Sequence, residues 1–485
     1  MSVKEELKTI VGSNHVLTET EKLKEYSKDF SFHPPRMPNY VVQPGSVKEI
    51  QEIVKLANKY LIPIIPCSSS VHFYGLTIPE EGGIILDLRR LNRILEIDKE
   101  NRMVRVEPGV TWENLQTNLE KEGFRVFNPL FPHRLKSVLT SYLEREPMII
   151  PKFEYSDPIL TMEVVLPNGD LLRTGSAAAP GVPDETISDL VGPYGPGLDF
   201  YRFFQGAQGT LGIVTWVSLK MGFLPSLKKT FLITSNNLED LIELTYNIQR
   251  LMIGNECFIV NNHNMANLAS TTGNPEEIGK LREKLPQNIL VLCLAGGYRR
   301  PEEKIAYEEE VLEKACSDVK LKPQTSLPPI PDLSKTPLDK LHLAWSKDPY
   351  WKFQYKGSCC DIFFITVLER VPDFLKLAYD VLEGEGYSVS DLGYYIQPLE
   401  YGRACHCEFN LPYDPNDPKE IKKISSIFEK LSERIMANGG FFSRPYGLWS
   451  RIVYEKATEY VNALRKLKST LDPNNIMNPG KIYYL

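Results

Sequence analysis

Around residues 224–228 the chain changes texture, and this change limits what it can fold into more than any other feature. Upstream, short strands and short helices alternate. SVKEIQEIVKLANKY carries Ile50, Ile53, Val54 and Ala57 at three-and-four spacing, the apolar stripe of an amphipathic helix, and LIPIIP after it reads as a short strand. TWENLQTNLEKEG is a helix closed by Gly123, and ILTMEVVLPNGDLLRTG is a hairpin turning at Pro167, Asn168 and Gly169. Downstream the units lengthen into strand, long helix and strand, from KTFLITSN and LEDLIELTYNIQRLMI to FFITVLERVPDFLKLAYDVLEGEGY, interrupted by the linker LKPQTSLPPIPDLSKTP. A chain of 485 residues is too long for one hydrophobic core to keep growing, so two α+β domains are expected.

Charge and cysteine usage exclude several classes of function. Lys and Arg total 56 against 62 Asp and Glu, a net charge of -6 without a basic tract, which argues against nucleic acid as a partner. The start, MSVKEELKTIVGSNHVL, lacks the apolar core of a secretory signal, and no apolar run approaches a membrane span, so a cytoplasmic location is expected. Cysteines 67, 257, 293, 316, 359, 360, 405 and 407 form no iron–sulfur or zinc spacing. An electron-transfer enzyme built on this chain is therefore expected to have one internal redox centre and an external electron acceptor, either a protein or a diffusible molecule, with both a homo- and a hetero-oligomer left open.

Segments in a fixed order carry a resemblance: VVQPGSVKEIQEIVKLANKYLIPIIP, GGIILDLRRLNRILEID, VRVEPGVTWENL, MEVVLPNGDLLRTG, FQGAQGTLGIVTWVSLKM and LDPNNIMNPGKI. Together they resemble the FAD-linked oxidases and dehydrogenases of the vanillyl-alcohol oxidase and p-cresol methylhydroxylase superfamily. The resemblance implies a split FAD-binding domain, residues 1–225 and 431–485, around a cap of residues 226–430 that holds a small organic substrate. It assigns the loop Pro66, Cys67, Ser68, Ser69, Ser70, Val71, His72 and Gly75 to the pyrophosphate, where converging donors meet an anion. The family carries glycines where this chain has the three serines. It also implies that Pro108, Gly109, Gly206, Gly209, Thr210, Gly212, Ile213, Asn478 and Lys481 line the cofactor. His72 stands one residue beyond the usual position of covalent attachment, so noncovalent FAD is expected.

SYLEREPMIIPKFEYSDPILTMEVVLPNG is similar to the branch that acts on para-substituted phenols, and this register sets Glu154 on the family's acidic residue near flavin N5. There a carboxylate accepts a proton or steers charge as hydride leaves. Arg444 falls where that branch has a tyrosine–arginine pair for the phenolate, with Ser443 replacing the tyrosine and Tyr446, Tyr394 or Tyr395 as substitutes. Strand alternation in RACHCEF sets Arg403, Cys405 and Cys407 on one face and His406 with Glu408 on the other. His406 and Glu408 read as a base with its orienting carboxylate, as two ligands of a divalent metal, or as a structural pair. With one local histidine, no metal site is expected.

The leading expectation is an FAD dehydrogenase that removes hydride from a phenolic benzylic carbon or alcohol. The alternative is an α-hydroxy-acid dehydrogenase in which Arg444 or Arg403 clamps a carboxylate and His406 takes the hydroxyl proton. A degenerate flavoprotein subunit without activity is the third reading, resting on the serines of the phosphate loop.

Overall fold

The chain's computed structural model describes residues 2–152, 158–178, 192–330 and 332–482. Ser46 caps the helix Val47–Tyr60 by accepting from the Glu49 backbone N–H, and Ile50, Ile53, Val54 and Ala57 on its inner face are buried. That helix carries the chain back alongside its own strand, so Tyr40–Val42 and Ile64–Cys67 both pair in parallel with Ile84–Asp87. A five-stranded antiparallel sheet follows, in the order Ile94–Asp98, Met103–Val106, Ile213–Lys220, Ile159–Val165 and Leu171–Arg173. Its last pair is the hairpin expected around Asn168.

Beyond residue 226 lies a seven-stranded antiparallel sheet whose central strands are Cys257–Asn261 and Gly393–Leu399, with Ser358–Thr366 at one edge beside Ala404–Tyr413. Helices Leu238–Leu251, Pro301–Asp318, Val371–Gly384 and Pro418–Ala437 contribute to the core on one of its faces. The result is the mixed α+β architecture read from the sequence, an FAD-binding unit carrying a cap.

The C-terminal end is stitched into the N-terminal unit. The Ile64 N–H donates to the Ile476 carbonyl at 2.7 Å, and the Asn478 N–H donates to the Ile64 carbonyl at 2.8 Å. The buried Lys468 ammonium donates to Asp472 at 2.6 Å and to the carbonyls of Thr210 and Met477. Leu431, Ile435, Phe442, Trp449 and Ile452 pack in the cap core, where Phe442 stacks on Trp449 and Trp449 meets Phe363 of the cap sheet edge-on. Leu467 and Leu471, in helix Thr458–Leu471, are the residues that reach the core of the five-stranded sheet. Among the described residues no helix is long and apolar enough to cross a membrane.

Candidate functional site

Two cavities lie side by side where the FAD-binding unit meets the cap. The first, about 110 Å³, is walled by Pro66 of the strand Ile64–Cys67 and Ser68 and His72 after it, by Pro108, by Leu139, Thr140 and Leu143 of helix Val138–Leu143, by residues 206–209 and 212–214, and by Asn478 and Tyr446. Its glycines follow from close approach. Gly209 has φ +72°, and a Cβ there would stand 2.5 Å from Pro66 Cγ, so this crossing of two loops excludes a side chain. Asn478 ties the C-terminal end to both loops, donating to the carbonyls of Gln208 at 2.7 Å and Leu76 at 3.3 Å.

Of the residues assigned to the cofactor, Pro66, Ser68, His72, Pro108, Gly206, Gly209, Gly212, Ile213 and Asn478 line this cleft. The others stand behind it and shape its loops. Cys67 Sγ and Ser69 Oγ bond within the turn, to the carbonyls of Ser69 and Val71, while Ser70 is exposed and Val71 buried. The Gly109 N–H donates to Leu91, the Thr210 hydroxyl to Ala207, and Lys481 bridges the Gly75 carbonyl and Glu80 at 2.9 Å each.

The lining fits FAD. The walls are largely apolar, as a flat ring requires, and Asn478 Oδ1, Gln208 Oε1 and Tyr446 Oη are buried polar atoms with no hydrogen-bond partner among the described residues. His72 Nε2 lies 3.0 Å from the Ser69 carbonyl, and burial holds the ring neutral, with its pKa pushed down to about 4.

The second cavity, about 60 Å³, has a different lining. Phe73, Tyr74, His133, Tyr350, Trp351, Phe353 and Tyr395 form aromatic walls, and six charged side chains project among them: Lys136, Glu146, Lys352, Asp361, Glu408 and Arg444. The charges are organised around two ammonium groups. Lys136 reaches Glu144 at 2.8 Å and Glu146 at 2.5 Å, and Lys352 reaches Asp361 at 2.7 Å and Glu408 at 2.5 Å. Asn410 donates to both carboxylates around Lys352, at 2.6 Å and 2.7 Å. Burial works against every one of these charges, and each carboxylate responds to its neighbours. Burial raises the Glu144 carboxyl, with Glu146 adding to the rise. Glu146 is also buried, but Lys136 and Arg444 hold it below the ordinary range. Asp361 is raised by burial and by Glu408, whereas Lys352 and His406 keep Glu408 ionised despite its burial.

The aromatic pair Tyr74 and Tyr446, stacked at 4.8 Å, marks the border between the cavities, Tyr446 facing the first and Tyr74 the second. Arg444, 2% exposed, lines the second cavity with its guanidinium 3.9 Å from the Phe363 ring centroid.

The catalytic residues expected from sequence are therefore divided. Arg444 and Glu408 line the second cavity and Tyr446 the first. His406 lines neither cavity, because its Nε2 points at Glu408, 3.1 Å away, and burial keeps the ring neutral. Arg403 is not part of the site: its side chain is 79% exposed and pairs with Glu400 at 3.0 Å, since the strand that buries His406 begins only at Ala404. Glu154 lies outside the described residues. Sequence reasoning missed Lys136, Glu144, Glu146, Lys352 and Asp361. A signal was present in Asp361, an acid inside the apolar strand SCCDIFFIT, and in LEREP, whose two acids flank a helix end. Among the described residues no group of three or more His, Cys, Asp or Glu is arranged to hold a metal ion.

The FAD binding domain family model matches residues 38–175, and that of the FAD linked oxidases, C-terminal domain, matches residues 364–482. The glycolate oxidase subunit GlcD of Bacillus subtilis is 24% identical over 99% of this chain and 96% of its own length. The mitochondrial D-lactate dehydrogenase [cytochrome] of Arabidopsis thaliana is 24% identical over 98% of this chain and 79% of its own length. Among solved structures, 4-ethylphenol oxidase from Gulosibacter chungangensis superposes with a TM-score of 0.86 at 21% identity, covering 99% of this chain and 96% of that one.

Proposed function

The chain belongs to the FAD-linked oxidase superfamily of the p-cresol methylhydroxylase type, and on that premise we propose that it is a dehydrogenase of a small 2-hydroxy acid with an apolar side chain. FAD is its cofactor, and when bound it supplies the ring that accepts hydride. Pro66, Ser68, Gly206, Gly209 and Asn478 would hold it, and Asn478 Oδ1 and Gln208 Oε1 are acceptors suited to the cofactor's N–H edges.

One observation carries the choice of substrate: three cations, Lys136, Lys352 and Arg444, line one aromatic cavity beside the flavin cleft. A carboxylate entering it meets Arg444, whose planar fork suits bidentate binding, while the aromatic walls take the apolar substituent. Relatives named for glycolate and D-lactate that align over nearly the whole chain support the same class. The earlier preference for a phenol is set aside on these grounds. It keeps one observation in its favour, the density of aromatic rings around the cavity, which suits an aryl group as the apolar substituent.

Anaerobic mixing with a panel of 2-hydroxy acids and para-substituted phenols tests the assignment. Bleaching of the flavin by 2-hydroxy acids is expected, and bleaching by the phenols alone refutes it. The same reduced enzyme mixed with oxygenated buffer is expected to reoxidise slowly, and a dye acceptor quickly, in keeping with an external acceptor. Peroxide released at the turnover rate would make it an oxidase instead. Denaturation is expected to release the yellow chromophore, because His72 is set off from the covalent position.

A further inference from the structure

We propose that Glu146 is the general base of the reaction, taking the hydroxyl proton of the substrate, and that Lys136, which bridges it to Glu144 of the flavin cleft, positions it. The assignment rests on the 2-hydroxy-acid reading above. Hydride transfer requires the reacting carbon to sit at the border of the two cavities, with the ring on one side and the carboxylate on the other. A base must reach the hydroxyl at that border, and the geometry selects among the acids. Glu408 and Asp361 are held on the cap wall by Lys352 and Asn410. Glu144 faces the flavin cleft. Glu146 alone among the described acids lines the substrate cavity and shares an ammonium, Lys136, with a residue of the flavin cleft.

The electrons and protons balance as follows. The substrate O–H bond breaks with its proton moving to Glu146 Oε and its electron pair forming the carbonyl π bond of a 2-oxo acid, while the C–H bond breaks with its pair leaving as hydride, for which bound FAD would supply the two-electron acceptor. Lys136 keeps Glu146 ionised beforehand, since Lys136 is itself buried and donates to both acids. When Glu146 becomes neutral, Lys136 remains paired with Glu144, so the buried ammonium is never left without a counter-charge.

Glu146→Gln keeps the size of the side chain and removes the base. Flavin reduction at saturating substrate is expected to slow by at least about a hundredfold, and its remaining rate to rise about tenfold per pH unit as hydroxide replaces the base. A readout independent of turnover comes from oxalate, whose second carboxylate lies where the substrate hydroxyl would. Two carboxylates face to face cannot both stay ionised, so oxalate binding to the wild-type holoenzyme is expected to take up a proton, measured by calorimetry in buffers of different ionisation enthalpy. Glu146→Gln is expected to bind oxalate without that uptake, and Glu154→Gln to retain it. Glu146→Asp keeps the charge opposite Lys136 and is expected to restore the uptake and part of the rate, which covers a Gln variant that fails to load FAD. Wild-type flavin that no 2-hydroxy acid reduces overturns the substrate reading and the base with it. Wild-type and Glu146→Gln enzymes reduced at equal rates, or equal proton uptake by both, overturn the base alone.

Discussion

The flavin cleft and the chamber beside it share a border of two stacked tyrosines, yet they are built from different physics. The cleft is made by backbone: glycines at loop crossings, a few prolines, and Asn478 pulling two loops together. Among the described residues its lining includes a single acid, Glu144, and no lysine or arginine. The chamber is made by side chains, with ammonium groups each held between two carboxylates inside aromatic walls. A shaped cleft binds a cofactor that stays, and its affinity depends on steric fit. A charged chamber must hold substrate and move a proton, so it keeps charges where burial disfavours them, compensated in groups.

If that contrast is right, removing one charge from the chamber damages the fold more than adding one methyl group to the cleft. Lys352→Met deletes the ammonium between Asp361 and Glu408 and leaves two carboxylates, each with its side chain 10% exposed, facing one another. The cap is expected to lose about 3–5 kcal/mol, read from denaturant unfolding. A loss under about 1 kcal/mol would mean that the chamber's charges are solvated and the contrast false.

Acid sharpens the comparison from within the cap. His263 is 1% exposed, with its ring edge-on to Tyr355 at 5.1 Å, and burial followed by Arg282 pushes its pKa down from 6.5 to about 3. The folded ring binds fewer protons than the unfolded one between those values. Its contribution is therefore fully present above pH 6.5 and lost as pH falls towards 3. By about pH 4.5 the cap is expected to have lost roughly 2–3 kcal/mol from this group. Hydrogen exchange at descending pH should show the seven-stranded sheet losing protection between pH 6.5 and about 4.5, and His263→Gln should remove that loss.

In the cleft the corresponding test is Gly209→Ala. A Cβ at 2.5 Å from Pro66 Cγ on a residue at φ +72° is expected to cost roughly 1–2 kcal/mol and to weaken FAD binding at least about tenfold, measured by flavin fluorescence during titration of the apoprotein. An alanine variant that binds FAD as tightly as the parent would show that this loop crossing does not set the shape of the cleft.

The same contrast explains what was legible in the sequence. The cleft is written locally: Gly206, Gly209 and Gly212 stand within one segment, and the helix on Ile50, Ile53, Val54 and Ala57 repeats at its own period, so short windows disclosed both. The chamber is written across the chain. Lys136, Glu146, Lys352, Asp361, Glu408 and Arg444 come from separate elements, and only the pairing of Ser358–Thr366 with Ala404–Tyr413 brings Asp361 opposite Asn410 and so within reach of Glu408. Alternation correctly put His406 and Glu408 on one face, but it could not tell that Glu408 would stand between His406 and the cavity. The packing of Trp449 in the cap core was illegible for the same reason, since its contacts with Phe363 and Phe428 lie in no single window.

The smallest effect is expected at Arg403, and it discriminates most finely. The sequence offered Arg444, through the resemblance, and Arg403, through strand alternation, as alternatives for a carboxylate clamp. Arg403, in the turn before the strand Ala404–Tyr413, has a side chain 79% exposed, whereas Arg444 is 2% exposed in the chamber wall. An exposed pair such as Arg403 with Glu400 contributes at most a few tenths of a kcal/mol, because water screens it and both side chains lose freedom in making it. Arg403→Ala should therefore leave unfolding unchanged within about 0.5 kcal/mol, along with substrate KM and the rate of flavin reduction. Arg444→Lys keeps a charge but loses the planar fork, so it should raise KM for a 2-hydroxy acid at least about tenfold. If Arg403→Ala raised KM as Arg444→Lys does, the carboxylate would enter from the turn at residues 400–403, and the chamber would not be where substrate binds.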